Sequence, residues 1–83
     1  MIIKILGSGC ANCKKVERIA RKVVETMGIE ATFEKITEYP EMMKYRILST
    51  PGLVIDEELV CAGRIPSETE VTTWLTNAEL KAA

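Results

Sequence analysis

Two cysteines separated by two residues, Cys10 and Cys13, lie between an apolar run and a segment of helical periodicity. The apolar run covers residues 2–6, and a short turn, Gly7-Ser8-Gly9, leads from it to Cys10. Cys10 is therefore expected at a helix N-terminus, where unpaired backbone N–H groups and the positive end of the helix dipole favour thiolate over thiol. Two such thiols can exchange disulfides or bind a soft metal ion.

The helical segment predicts different environments for the two cysteines. Apolar residues recur at helical spacing from Cys13 to Met27, and Gly28 follows as the residue that ends the helix. Cys13 lies on the apolar stripe, whereas Cys10 lies at the exposed tip. We therefore expect Cys10 to attack and a shielded Cys13 to resolve the intermediate.

The middle of the chain predicts a second strand and a short helix. Alternating apolar and polar residues over 29–34 indicate a strand with one polar face. Residues 37–41, with Pro40 in the first turn, are typical of a helix start. This helix is predicted to run through Met42 and Met43 to Leu48.

The last third of the chain predicts a hairpin and a final helix. Residues 53–55 and 59–62 are apolar and read as two antiparallel strands. Ser67 and Glu70 have the spacing of a capping box that begins the final helix. The element order is βαβαββα, in a single domain over residues 1–83.

Composition excludes several classes of function. The chain has 83 residues and a net charge of −1, with 11 basic and 12 acidic residues, so nucleic-acid binding is not expected. The apolar start carries Lys4 and is too short to span a membrane or to form a signal peptide, so a cytoplasmic location is expected. The absence of histidine argues against most zinc chemistry.

The CxxC between the first strand and first helix, with Thr50-Pro51 leading into a hairpin, resembles the thioredoxin/glutaredoxin superfamily. More narrowly, the chain is similar to the small, glutaredoxin-sized redox-active disulfide proteins of archaea and bacteria. The matching stretches are residues 7–14, 49–55 and 62–67. The resemblance implies an α/β minimal thioredoxin fold with a four-stranded mixed sheet in the order 2-1-3-4. The first and third helices would cover one face and the second helix the other.

The resemblance also implies a site and its partners. Cys10 would be the nucleophile and Cys13 the resolving thiol of a thiol–disulfide oxidoreductase that acts on protein disulfides and is served by an upstream reductase. No cofactor or metal beyond the redox-active disulfide is implied, and a monomer is expected. Substrate would contact Thr50, a cis Pro51 and Gly63, and the supporting residues would be Gly9, Ala11, Asn12, Lys14 and Lys4.

Four departures from the family pattern make the predicted site atypical. Gly9 stands where thioredoxins have tryptophan, and Ala11-Asn12 replaces the usual dipeptide between the cysteines. Lys4 stands where thioredoxins have a buried acid; its ammonium either points to the site and favours thiolate or is a strand-face charge. Arg64 follows Gly63 where an acid is usual in glutaredoxins, so glutathione binding is not expected.

The alternative function is a carrier of a soft metal such as Cu(I), because heavy-metal-binding domains place a CxxC on the same kind of loop. The predicted element order and Thr50-Pro51 favour disulfide exchange. The third cysteine, Cys61, lies in a predicted strand between Val60 and Ala62 and is interpreted as core packing.

Overall fold

The computed structural model describes residues 1–7, 11–47 and 49–82. The elements are, in chain order, β1 (Ile2–Leu6), α1 (Ala11–Met27), β2 (Thr32–Ile36), α2 (Tyr39–Met43), β3 (Gly52–Ile55), β4 (Glu58–Ala62) and α3 (Glu68–Ala82). This is the predicted βαβαββα order.

The four strands form one mixed sheet in the order β2-β1-β3-β4, which confirms the predicted topology. β1 pairs in parallel with β2 and antiparallel with β3, and β3 pairs antiparallel with β4. Leu6 lies opposite both Ile36 and Gly52, so the end of β1 that leads to the CxxC lies beside the start of β3. The segment that precedes β3 contains Thr50 and Pro51.

Side chains are buried on both faces of the sheet, and successive residues of a strand point to opposite faces. Ile3 and Ile5 pack beneath α1 and α3, whereas Leu6 and Val54 pack on the other face with Met42 of α2. The first and third helices therefore cover one face and the second helix the other, as expected. The larger core joins the two long helices to the sheet through Ile3, Ile5, Val16, Ala20, Val23, Leu53, Ile55, Val71 and Leu75.

Gly28 ends α1, as the sequence predicts. Its φ is 68°, its N–H donates to the carbonyl of Glu25, and the N–H of Ile29 donates to the carbonyl of Val24. These two bonds form a Schellman motif, which satisfies carbonyls at the helix end.

The second strand starts later than predicted. Alternation suggested a strand from Ile29, but β2 begins at Thr32, because the helix cap redirects the chain at Gly28. Ile29 and Ala31 still pack against the larger core. Their apolar character therefore reflects the packing of a connecting segment.

The second helix is shorter than predicted. It ends at Met43, and the following N–H groups of Tyr45 and Arg46 donate to carbonyls three residues earlier. Arg46 has a φ of 55°, which a continuing helix does not allow. The prediction that this helix continues beyond Met43 was wrong for residues 44–47. Leu48, the predicted end of the helix, lies outside the described residues.

The hairpin and the final helix form as expected. Asp56 and Glu57 both have positive φ, 47° and 69°, as a two-residue type I′ turn requires. At α3, the Glu70 N–H donates to Ser67 Oγ, and the Ser67 N–H donates to a Glu70 carboxylate oxygen, each at 3.1 Å. This is the predicted capping box.

None of the helices in the described part of the chain has the length and apolar content needed to cross a membrane.

Candidate active site

Cys13 lies in the first turn of α1 and faces the sheet. Its side chain is 4% exposed and belongs to the larger core. Gly7 makes the closest approach to it, since a Cβ built at Gly7 would lie 2.2 Å from Cys13 Sγ and 3.8 Å from Thr50 Cβ. Gly7 therefore lies close to both the thiol and Thr50, and only glycine leaves room for the thiol there.

The Thr50–Pro51 peptide bond is cis, the isomer that the resemblance implies. Pro51 is buried and Thr50 is exposed. The N–H of Gly63 donates to the Pro51 carbonyl at 2.8 Å, which ties the end of β4 to this segment. Gly63 has a φ of 77°, and a Cβ there would lie 2.3 Å from Ser49 Oγ. Gly63 is thus required for the backbone to pack behind Thr50 and Pro51.

A small cleft opens beside Cys13. It has a volume of about 50 Å³, enough for a water molecule or two. The cleft lies between the start of α1 and the end of β2. The Cys13 thiol therefore has polar side chains of the cleft on one side and the apolar core on the other. The cleft is lined by Ile5, Gly7, Cys13, Lys14, Glu17, Lys35 and Thr37.

Glu17 is the site residue that the sequence did not identify. Its side chain is only 15% exposed, and its carboxylate lies 2.9 Å from Arg21 Nε and 3.2 Å from Lys35 Nζ. Burial alone raises the pKa of this carboxyl, but the hydrogen bonds from Arg21 and Lys35 outweigh it, so its pKa lies below the ordinary value. Glu17 therefore remains an anion at neutral pH. Its spacing of four residues from Cys13 was the available signal.

Lys4 lies away from this site. It projects from the sheet face opposite Cys13, where Lys4 Nζ donates to Tyr45 Oη at 2.8 Å and to a carboxylate oxygen of Glu57. The side chain is 17% exposed, and these hydrogen bonds raise the pKa of the ammonium above its ordinary value. Of the two orientations expected for the Lys4 ammonium, the one toward the CxxC was wrong. The ammonium is a charge on the strand face, and it is paired with Glu57.

The other predicted site residues lie around the start of α1. Ala11 and Asn12 are exposed in its first turn, and Lys14 lines the cleft beside Cys13. Gly9 and Cys10 lie outside the described residues, so their predicted roles stay predictions. The described part of α1 begins at Ala11, the residue that follows Cys10 in the chain.

Cys61 packs into the core of the sheet. It is 7% exposed, lies opposite Leu53 in the β3–β4 pair, and its Sγ is 3.7 Å from the Arg64 carbonyl oxygen. Burial raises the pKa of the Cys61 thiol, which disfavours the reactive thiolate. This environment supports the interpretation of Cys61 as a packing residue.

Comparison with protein families places most of the chain in one family. The family model described as a thioredoxin domain matches residues 1–76. A thioredoxin of Methanothermobacter thermautotrophicus is 44% identical over 71 residues, which cover 86% of this chain and 92% of the relative. A thioredoxin of Methanocaldococcus jannaschii is 35% identical over 71 residues, which cover 86% of this chain and 81% of the relative.

Solved structures show the same fold at lower sequence identity. Thioredoxin 1 of Thermosipho africanus superposes with a TM-score of 0.58 at 19% identity, covering 100% of both chains. The germline-specific thioredoxin Deadhead of Drosophila melanogaster superposes with a TM-score of 0.53 at 19% identity, covering 99% of this chain and 80% of the other.

Proposed function

Because the chain belongs to the thioredoxin family, we propose that it is a thiol–disulfide oxidoreductase that uses Cys10 and Cys13 to exchange electrons with protein disulfides. The observation that carries the proposal is the burial of Cys13 with its Sγ against Gly7, a residue that also lies close to Thr50 of the cis Thr50–Pro51 segment. This packing shields one thiol of the pair, as a resolving cysteine requires, and leaves Thr50 exposed beside it.

The reaction proceeds in two exchange steps. The Cys10 thiolate attacks one sulfur of a substrate disulfide, forms a mixed disulfide and releases the other substrate sulfur as a thiolate. The Cys13 thiolate then attacks the Cys10 sulfur and releases the second substrate sulfur. The substrate gains two electrons and, after protonation, two thiols, while the chain is left with a Cys10–Cys13 disulfide. The reverse sequence oxidises a dithiol.

The position of Cys10 favours the first step. In the sequence it directly precedes Ala11, the first described residue of α1, and the first backbone N–H groups of a helix have no partner within the helix. Lys14 lines the adjacent cleft, and its positive charge adds to the dipole in favouring an anionic sulfur. Ala11 and Asn12 are small, exposed residues that leave access to the helix tip open.

The exposed backbone of Thr50 is the proposed contact for an extended substrate segment. Pro51 holds this backbone beside Cys13, and Gly63 supports Pro51 from behind through its N–H. A disulfide in a protein suits this contact, because a peptide segment bound in one orientation along the Thr50 backbone would bring its cysteine to the CxxC.

The partners of the reaction are protein substrates and an upstream reductase, with no cofactor beyond the disulfide itself. We propose that the chain acts as a monomer in the cytoplasm, where a CxxC is kept reduced and available for catalysis. Glutathione is not the proposed substrate, because Arg64 follows Gly63. The Arg64 guanidinium is also already bound to both carboxylate oxygens of Glu70, at 2.9 and 2.6 Å.

Trapping of mixed disulfides tests the assignment of the two thiols. The Cys13→Ser variant should accumulate a stable adduct with a disulfide-bonded peptide, since the resolving thiol is missing. The Cys10→Ser variant should form none, because Cys13 is buried. Both variants are prepared with Cys61→Ala, so that an adduct reports only on the CxxC. Adducts with Cys10→Ser and none with Cys13→Ser would contradict the assignment.

A further inference from the structure

Positive charge is concentrated in α1. The chain has a net charge of −1, yet α1 contains five basic residues and only two acidic ones, so the helix carries +3 and the remainder −4. The basic residues are Lys14, Lys15, Arg18, Arg21 and Lys22.

Three of these cations lack an ion-pair partner in the described part of the chain. Arg21 and Lys22 are each paired with a carboxylate, at 2.9 and 3.4 Å. Lys14, Lys15 and Arg18 are exposed, and none of them lies within ion-pair distance of a described acidic residue. Their charges are therefore not neutralised by the fold itself.

Two of these cations oppose the dipole of α1. The helix starts at Ala11, so Lys14 and Lys15 lie close to its positive end, and its first turn contains no acidic residue. Stabilisation of a thiolate at the helix tip accounts for a cation at position 14. It does not account for Arg18, which lies a full turn farther along. Neither the helix dipole nor an ion pair with a described residue therefore stabilises Lys15 or Arg18.

Four of the five basic residues, all except Lys15, border a groove that shares two lining residues with the cleft beside Cys13. A shallow groove of about 390 Å³ runs along the outer face of α1. Lys14 and Glu17 line both this groove and the cleft beside Cys13. The groove is lined by Lys14, Glu17, Arg18, Arg21, Lys22 and Glu25.

We infer that this groove, called the basic groove below, binds an acidic segment of the protein whose disulfide is exchanged. The inference rests on the proposed function and specifies its substrate class. Lys14 and Lys22 are eight residues apart, which corresponds to about 12 Å along a helix. An extended peptide spans that distance with about four residues. Substrates with two or three carboxylates within about four residues of the reacting cysteine therefore match the basic groove.

A protein segment fits this surface better than a nucleic acid does. The remainder of the chain is negative, so a long polyanion would be repelled beyond the groove. Phe33 is the aromatic residue beneath the groove, and its ring is covered by the Arg21 guanidinium at 4.4 Å. A short acidic peptide needs only the local charge.

Two matched disulfide-bonded peptides test the inference. One carries three glutamates within four residues of the cysteine, and the other carries glutamines at the same positions. The rate constant for reduction by the reduced protein is measured for each peptide at about 20 mM and about 500 mM salt. The glutamate peptide should react about tenfold faster at low salt, and the ratio should fall to about two or less at high salt, because exposed charges are screened.

Charge reversal locates the effect on the molecule. In the double variant Arg18→Glu with Lys22→Glu, both residues of which line the groove, the ratio of the two rates should fall to one or below. The control double variant, Lys44→Glu with Lys81→Glu, has the same net charge but changes residues near the hairpin end of the sheet, and it should keep the ratio. The conservative pair Arg18→Lys and Lys22→Arg should keep it too. The ratio cancels any general effect on thiolate reactivity.

The outcomes separate this inference from the proposed function. Equal rates for the two peptides in the unmodified protein would overturn the basic groove while leaving disulfide exchange in place. An equal loss of the ratio in the control variant would also overturn it, since net charge alone would then explain the preference. If neither peptide were reduced, the proposed function and the inference would both fail.

Discussion

Gly7 is the position at which a single methyl group tests the geometry of the site. In Gly7→Ala, the new Cβ would lie 2.2 Å from Cys13 Sγ. Ordinary contacts between heavy atoms lie near 3.5–4.0 Å, so the two groups must separate by about 1.3 Å or more. The thiol is packed into the core and has little room to move. Overpacking of this kind lowers the free energy of unfolding by about 1–3 kcal/mol.

Activity should fall more than stability suggests. A displacement of about 1 Å at a reacting group lowers a rate by about 100-fold. We therefore expect Gly7→Ala to slow the reduction of a peptide disulfide by about that factor. Gly28→Ala is the matched control. Its φ is 68° but no atom lies within 4 Å of the added Cβ, so it should lose about 1 kcal/mol through backbone strain and keep its exchange rate.

A double-mutant cycle isolates the contact with sulfur. In Cys13→Ala the Sγ atom is absent, and the Cys13 Cβ is 3.4 Å from the added methyl group. The stability cost of Gly7→Ala should therefore shrink by about 1–3 kcal/mol in that background, whereas any backbone cost stays the same. Urea unfolding followed by the fluorescence of Trp74, the single tryptophan, measures all four proteins. An equal cost of Gly7→Ala in both backgrounds would refute the close approach of Gly7 and the thiol.

Three further predictions concern Glu70, Cys61 and Lys4. The Arg64 guanidinium and the capping hydrogen bond lower the pKa of Glu70 to about 2, against 4.5 for the ordinary group. The contribution of Glu70 to stability is therefore complete above pH 4.5 and is lost as the pH falls toward 2. Glu70→Gln should flatten that part of a urea-unfolding pH profile, and an unchanged profile would count against the pairing of Glu70 with Arg64. Cys61→Ser should leave the redox potential and exchange rates unchanged, and a thiol reagent should label Cys61 only after unfolding; fast labelling of the folded protein would contradict its burial. Lys4→Met should remove the hydrogen bond to Glu57 without changing the exchange rate, and a rate change above about threefold (about 0.7 kcal/mol) would place Lys4 near the reaction.

Local signals predicted much of the fold, because the features involved are close in sequence. The capping box depends on Ser67 and Glu70, three residues apart, and the end of α1 depends on Gly28 alone. The apolar stripe that shields Cys13 is a property of one helix. In each case the interacting groups lie within two helical turns, where periodicity and propensity decide the structure.

The features that sequence reasoning missed depend on distant partners. Lys4 reaches Glu57, 53 residues away, so its orientation followed from the strand order and not from its neighbours. Glu17 reads as one more polar residue of α1 until the fold brings Lys35 to it. The role of Gly7 is similar, since a turn glycine and a glycine that makes room for a thiol look the same in sequence.

The redox behaviour of the two CxxC thiols tests the central claim most directly. The purified protein is equilibrated with dithiothreitol mixtures of graded potential, and its free thiols are counted and its disulfide is mapped by mass spectrometry. We expect one reversible two-electron transition, in which two thiols are lost and a Cys10–Cys13 bond appears while Cys61 stays reduced. The absence of that transition, a disulfide that includes Cys61, or tight stoichiometric binding of Cu(I) without exchange activity would contradict the claim.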